Sequence, residues 1–333
     1  MQWGGNLTWV VDSKQSECIL NHNEYRFIYG PVPSRRFGRS LGVDIISAKT
    51  CSYNCVFCHV GYTRDLTLER REYAPVNEVV KELDKWLKTG NSADFITLSG
   101  MGEPTLHSRF GDILDSIRKM CSIKTALLSN GSLFYMPEVR SAACKADVVK
   151  LSLSAWDQKS FESINHPHHE LKLDQIVEGM KTFRSEYNGQ LWLEIIVVLS
   201  LNSLDDSMKK IAGFANTIKA DKIHLNTVVR PPSEHNIMPV SEKVLKGFSR
   251  LFHPEAEVIA EFRSDLSCGY EVSDKEILKM ISIRPCTADD ITKASNLNAI
   301  ETGKRIAELK KPKMIVENKH LGKVYYRINE IKE

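Results

Sequence analysis

Between residues 41 and 251 the hydrophobic positions change period again and again. Short unbroken apolar runs give way to apolar residues spaced three and four apart, and then the runs return. The runs Leu41 to Ile46, Phe95 to Leu98, Thr125 to Leu128, Val148 to Leu153, Leu191 to Leu199 and Lys222 to Val228 read as buried strands. Helical spacing fills the intervals: Val76 to Leu87, with Val79, Val80, Leu83 and Leu87 on one face, then Phe110 to Met120, Met136 to Lys145, Leu173 to Tyr187 and Asp205 to Ile218, with a last helix near Ser241 to Leu251. Strands alternating with helices predict βαβ units on a parallel sheet. Six such units predict a partial barrel, with chemistry at the C-terminal ends of its strands.

Past residue 252 the alternation stops. Ser273 to Ile281 is helical in pattern, Thr287-Ala288-Asp289-Asp290 opens a second helix with capping-box spacing, and Asn298 to Lys310 makes a third. Lys311-Pro312 breaks it, and Met314 to Val316 then pairs with Val324 to Ile328 as a hairpin. Three short helices and a β-hairpin resemble a winged helix. Its end is basic, with Lys304, Arg305, Lys310, Lys311, Lys313, Lys319 and Lys323, so nucleic acid is a candidate partner and protein bracing the alternative. The expected organisation is an N-terminal extension over 1–37, an α/β barrel over 38–252 and a small α+β module over 268–333.

The 333 residues suffice for one large domain and a small one, and a 42% hydrophobic share with 26% charged is ordinary for a globular chain. A net charge of +3 excludes polyanion binding by bulk charge alone. The start lacks the basic and apolar run of a signal peptide, and the longest apolar run, Ile195 to Leu201, is too short to span a bilayer. Eight irregularly spaced cysteines fit a reducing compartment, so the expectation is a cytoplasmic protein with no membrane partner.

Chemistry concentrates in Cys51-Ser52-Tyr53-Asn54-Cys55-Val56-Phe57-Cys58. Three thiols in eight residues can meet one face of an iron–sulfur cluster, which ordinarily takes four cysteines, leaving one iron open. A zinc site completed by His59 is the alternative, although a histidine next to a ligand is poorly placed to bind the same ion. Cys18 and His22 stand upstream, and Cys121, Cys144, Cys268 and Cys286 are scattered as core residues are. Just before the thiols, the glycine- and proline-punctuated stretch Gly30 to Gly42 reads as a loop carrying Arg35, Arg36 and Arg39, which can grip carboxylate or phosphate. Polar or glycine residues close the later strands: Ser99-Gly100-Met101-Gly102-Glu103-Pro104, Ser129-Asn130-Gly131, then Ser152 and Ser154, Glu194 and Asn202, and Asn226 before Arg230.

The spacing C-x-x-x-C-x-aromatic-C after a first strand, with polar ends on successive strands, resembles the radical S-adenosylmethionine (radical SAM) superfamily. Within it, Gly30 to Cys58 and Ser99 to Pro104 look most like the group similar to the tRNA wyosine-base synthases, although only Cys18 stands where those carry three further cysteines. The resemblance implies a TIM-like (β/α)6 barrel and a [4Fe-4S] cluster held by Cys51, Cys55 and Cys58. It implies S-adenosylmethionine bound by Phe57, Gly100, Met101, Gly102, Glu103, Asn130, Ser152, Ser154, Glu194 and Asn202, and a low-potential electron donor of flavodoxin or ferredoxin type. Reductive cleavage of S-adenosylmethionine would give a 5′-deoxyadenosyl radical that takes hydrogen from a substrate, an RNA base or another anionic molecule. Arg230, Asn226, Arg35, Arg36 and Arg39 are the residues expected to face that substrate. A glycyl-radical activase and a non-enzymatic iron–sulfur DNA sensor are the other readings.

Overall fold

The computed structural model describes residues 25–46, 49–259, 273–295 and 297–329. Cys18, His22, Cys268 and the first part of the expected extension lie outside these residues.

The chain enters as an antiparallel pair, β1 (Ile28–Ser34) and β2 (Gly38–Val43), where a loop was expected. Glycine and proline are tolerated there because β1 is an edge strand, whose outer N–H groups need no ladder partner. Gly30, at φ 92°, sits where the register shifts between Tyr29 and Val32. Any Cβ on Gly42 would collide with the Tyr29 ring, so the two strands can lie this close only with glycine there. Arg35 and Arg36 occupy the turn between the strands, and Arg39 lies in β2.

After β2 come a short parallel pair, β3 (Thr50–Cys51) and β4 (Asp65–Leu66), then α1 (Val76–Lys88), β5 (Phe95–Leu98), α2 (Phe110–Met120), β6 (Lys124–Leu128), α3 (Pro137–Ala143) and β7 (Val148–Ser152). The chain continues through α4 (Gln158–Asn165), α5 (Leu173–Glu186), β8 (Gln190–Val197), α6 (Asp205–Ile218), β9 (Lys222–Thr227), α7 (Glu242–Phe248) and β10 (Glu257–Val258). The main sheet runs β1-β2-β5-β6-β7-β8-β9-β10, with every neighbouring pair from β2 onward parallel. The six expected strands are present, and β1 and β10 extend the sheet at its two edges. Those edges are not hydrogen-bonded to each other, so the barrel stays open along one side.

Register sorts the side chains. Val149, Leu151, Leu193, Ile195, Ile223 and Leu225 face the helices and are buried in the main core. The alternate positions (Lys150, Ser152, Trp192, Glu194, His224, Asn226) face inward, and paired residues such as Ser152, Glu194 and His224 share that face. At the N-terminal end of the barrel Phe37, from the β1–β2 turn, stacks on Trp192 at 5.0 Å and meets Phe95 edge-on. This plug, with Ala126 and Val148, fills the N-terminal end of the barrel.

The last elements are α8 (Asp274–Ile283), α9 (Ala288–Ala294), α10 (Ala299–Lys310) and the hairpin β11 (Ile315–His320) with β12 (Lys323–Ile328). Their core includes Ile277, Ile281, Ile291, Ile306 and Ile315, and it also takes in Val32 and Tyr29 of β1. The module therefore shares a strand with the barrel and lies over its open side. Tyr325 donates to the Val229 carbonyl at 2.8 Å, so the hairpin is tied to the barrel mouth.

Candidate active site

The three thiols lie on the loop that leaves β2 and runs through β3. Neighbouring elements clamp the loop's backbone. Val56 N–H donates to the Ile164 carbonyl at 3.1 Å, Asn54 N–H to that of Asn165 at 3.0 Å, and the Ser233 hydroxyl reaches the Cys55 and Val56 carbonyls at 2.9 Å each. Each sulfur also meets one side-chain N–H. The Lys49 ammonium is 2.9 Å from Cys58, Asn165 Nδ2 3.3 Å from Cys55, and Asn130 Nδ2 3.6 Å from Cys51. Donors of this kind stabilise negative sulfur. Burial, followed by the Glu103 carboxylate, pushes the Cys51 thiol up to about 12, and burial with the neighbouring thiols pushes Cys55 up as well. Thiolates are thus unfavourable here until a cation neutralises them, and a coordinating metal deprotonates thiols outright.

Among the described residues no fourth cysteine joins them. Cys121 closes α2 and Cys144 follows α3 on the outer layer, while Cys286 is buried in the C-terminal module. Also among the described residues, three ligand atoms close enough to share one ion occur at His168, His169 and Glu170, two of them exposed, and not at the cysteines. The donor set fits a cluster anchored at three corners better than it fits a single zinc.

The strand-end motifs surround this loop, though several do other work than expected. A Cβ on Gly102 would strike the Thr50 carbonyl and one on Gly100 the Asp44 carboxylate, so these glycines let the β5 loop sit against the thiol loop. Asp44 accepts from Ile46 N–H and Met101 N–H, both at 3.3 Å, and burial pushes its carboxyl up to about 6. Glu103 was expected among the cofactor contacts. Instead its oxygens take Thr105 N–H at 3.0 Å, the Thr105 and Ser129 hydroxyls at 2.6 Å, and Asn130 N–H at 2.6 Å. Asn202, fully buried, spends its amide on Ser154 O, Ile196 O and Val198 N–H, and the Ser154 hydroxyl accepts from Ile196 N–H, so both fasten β7 to β8. Ser152 faces the interior beside the Lys150 ammonium, 3.2 Å away. Phe57 is half-buried against Val198, Val228 and Ile237.

Glu194, expected to contact the cofactor, is the counter-ion of the barrel interior. It pairs with Arg36, with Lys150 at 3.1 Å, and accepts from Asn226 Nδ2 at 3.1 Å. Burial alone would raise its pKa, but Arg36 and then Lys150 hold it well below the usual carboxylate range. Arg35 reaches the Asn226 side chain at 3.4 Å and the Ile259 carbonyl. Arg39 departs from the expected set. It turns outward to Asp94, 3.1 Å away, and to Ser92. Arg230 leaves β9 toward the C-terminal module, where it forks onto Asp290 at 3.1 and 3.3 Å and donates to the Pro285 carbonyl. His59 is exposed at the edge of the thiol loop, and the positive charges of Arg230, Lys49, Arg284 and Arg35 disfavour protonation of its imidazole.

Sequence reasoning missed Lys49, Asn165 and Arg284. Asn165 ends α4, a short helix with only Phe161 and Ile164 to mark it, and Lys49 and Arg284 look like ordinary surface charges until the fold is known.

An open parallel barrel whose first strand feeds a three-thiol loop is the architecture of radical SAM proteins. The model of the radical SAM superfamily matches residues 45–215, and this chain belongs to that superfamily. It is similar to UPF0026 protein MJ1312 of Methanocaldococcus jannaschii, 32% identical over 311 residues that cover 90% of this chain and 95% of that one. Among solved structures it is similar in fold to a radical SAM methyltransferase from Sphaerobacter thermophilus (TM-score 0.50, 15% identity, 69% of this chain and 68% of that one). It is also similar to TYW1 with a lysine-pyruvate adduct bound (TM-score 0.50, 14% identity, 74% and 82%). The protein is a radical SAM enzyme, whose cofactors are a [4Fe-4S] cluster and S-adenosylmethionine. No helix among the described residues is long and apolar enough to cross a membrane.

Proposed function

We propose that Cys51, Cys55 and Cys58 hold the cluster and that S-adenosylmethionine lies beside it, over the ends of β5, β6 and β7. The barrel interior then receives the substrate. One observation carries this reading: each of three thiols on a single clamped loop meets its own N–H donor, and no fourth cysteine among the described residues completes the set. When bound, the pair of cofactors supplies one-electron cleavage of the sulfonium and hydrogen-atom abstraction.

The chain's own residues orient and exclude. The backbone of Gly100 to Gly102, the Asn130 amide and Ser152 offer polar groups nearest the loop, and Phe57 supplies an apolar wall. Glu103, Ser154 and Asn202 hold those groups in place from behind. The Phe37 plug keeps the interior closed at its base, which limits side reactions with water. A small low-potential protein of flavodoxin or ferredoxin type would deliver electrons to the exposed side of the loop. The wyosine reaction lacks support here, because Cys18 alone stands upstream of the thiols where that group carries three cysteines. Against a nucleic-acid role for the C-terminal hairpin stands its use of Tyr325 to bind the barrel.

The test is turnover. Anaerobically reconstituted protein with a strong reductant is expected to convert S-adenosylmethionine to 5′-deoxyadenosine, and Cys55→Ala to abolish the conversion. Undiminished turnover by the variant would refute the ligand assignment.

A further inference from the structure

The open side of the barrel, between β1 and β10, is closed by the C-terminal module, and that contact brings arginines together. Arg284 stands at the end of α8, directly before the Pro285 carbonyl that Arg230 grips. Arg35 crosses from the β1–β2 turn to Asn226 and the Ile259 carbonyl, so both its bonding partners are neutral. Arg284 and Arg230 are both close enough to repel Arg35. Arg230 has a carboxylate partner in Asp290. Arg284 leaves Nε and Nη2 enclosed by protein and bonded to nothing among the described residues.

Those two atoms form one edge of the guanidinium fork, the edge that takes two oxygens of a carboxylate or phosphate side by side. A guanidinium cannot relieve burial by losing its proton, so unpaired positive charge in an enclosed space calls for an anion. Glu194 is already shared by Arg36 and Lys150. Among the described residues two carboxylates, Asp290 and Glu194, therefore face five cations: Arg230, Arg284, Arg35, Arg36 and Lys150.

We propose that Arg35 and Arg284 form an oxyanion subsite in the wall of the reaction chamber, which binds a phosphoryl or carboxylate group of the substrate. The C-terminal module is then a structural part of the site, because it contributes one of the two arginines. This rests on the barrel interior being the chamber, as proposed above.

The experiment is calorimetric titration of the full reconstituted chain with inorganic phosphate and, separately, with succinate, at ionic strength held constant with chloride. One of the two binds saturably, and which one it is distinguishes a phosphoryl from a carboxylate group. Arg284→Gln and Arg35→Gln weaken that binding by roughly tenfold or more, the scale of one charge-assisted contact. Arg284→Lys, which keeps the charge and loses the fork, weakens it less and serves in place of Arg284→Gln if that variant does not fold. Lys209→Gln, on the exposed outer face of α6, leaves it unchanged. Failure of both anions to bind saturably overturns the proposal, as does equal weakening by Lys209→Gln. Turnover of S-adenosylmethionine by the unaltered protein is measured alongside. Its absence counts against the chamber, whereas lost anion binding with turnover intact counts only against the subsite.

Discussion

Asn130, Asn165 and Lys49 come from three places in the chain, and each points an N–H at a different cysteine sulfur. Of the three, only Asn130 was legible beforehand, because it ends a strand. Lys49 and Asn165 carried no pattern of their own; their roles arise from loop contacts that no periodicity reports. The thiols themselves were legible because cluster chemistry demands a fixed local spacing. Asp44 gives a test at this scale. Its folded pKa of about 6 lies above the ordinary carboxyl value, since burial favours the neutral form. The folded state thus holds a proton that the unfolded state has released. The associated stability is present at low pH and is lost as pH rises from about 4 through 6, by on the order of 3 kcal/mol. Denaturation of Asp44→Asn across that range should show a shallower decline than the unaltered protein. Asparagine also disturbs the bond to Met101, so the slope is the readout and not the absolute stability. Equal slopes would contradict the assignment.

At the level of elements, the six central strands and their helices followed the hydrophobic pattern closely. Phe110–Met120 and Asp205–Ile218 coincide with expectation at both ends. What pattern could not show was β1, because glycine and proline mark a loop unless the strand lies at an edge. The glycines after β5, expected among the cofactor contacts, also give room to the protein's own Thr50 and Asp44. Gly102→Ala is accordingly expected to force the β5 loop off the thiol loop. Overpacking of this kind costs about 1–3 kcal/mol. The variant should melt earlier and retain less iron after reconstitution than the unaltered chain. Full iron content at an unchanged melting temperature would show that the contact is not needed.

Across the whole molecule, the order of parts was legible but not their embrace. The C-terminal elements were expected as a separate module, and they share β1 with the barrel and seal its open side. A sequence cannot announce such a contact, because Arg230 and Asp290 lie sixty residues apart and become partners only in the fold. The account's central claim nonetheless rests on the cluster. The most direct measurement is metal and sulfide content after strictly anaerobic reconstitution, with electron paramagnetic resonance of the reduced protein before and after S-adenosylmethionine is added. The account predicts about four iron atoms per chain beyond any adventitious metal, and a spectrum that changes on addition because one iron lacks a protein ligand. A colourless protein holding one zinc per chain, or a cluster whose spectrum ignores S-adenosylmethionine, would contradict it.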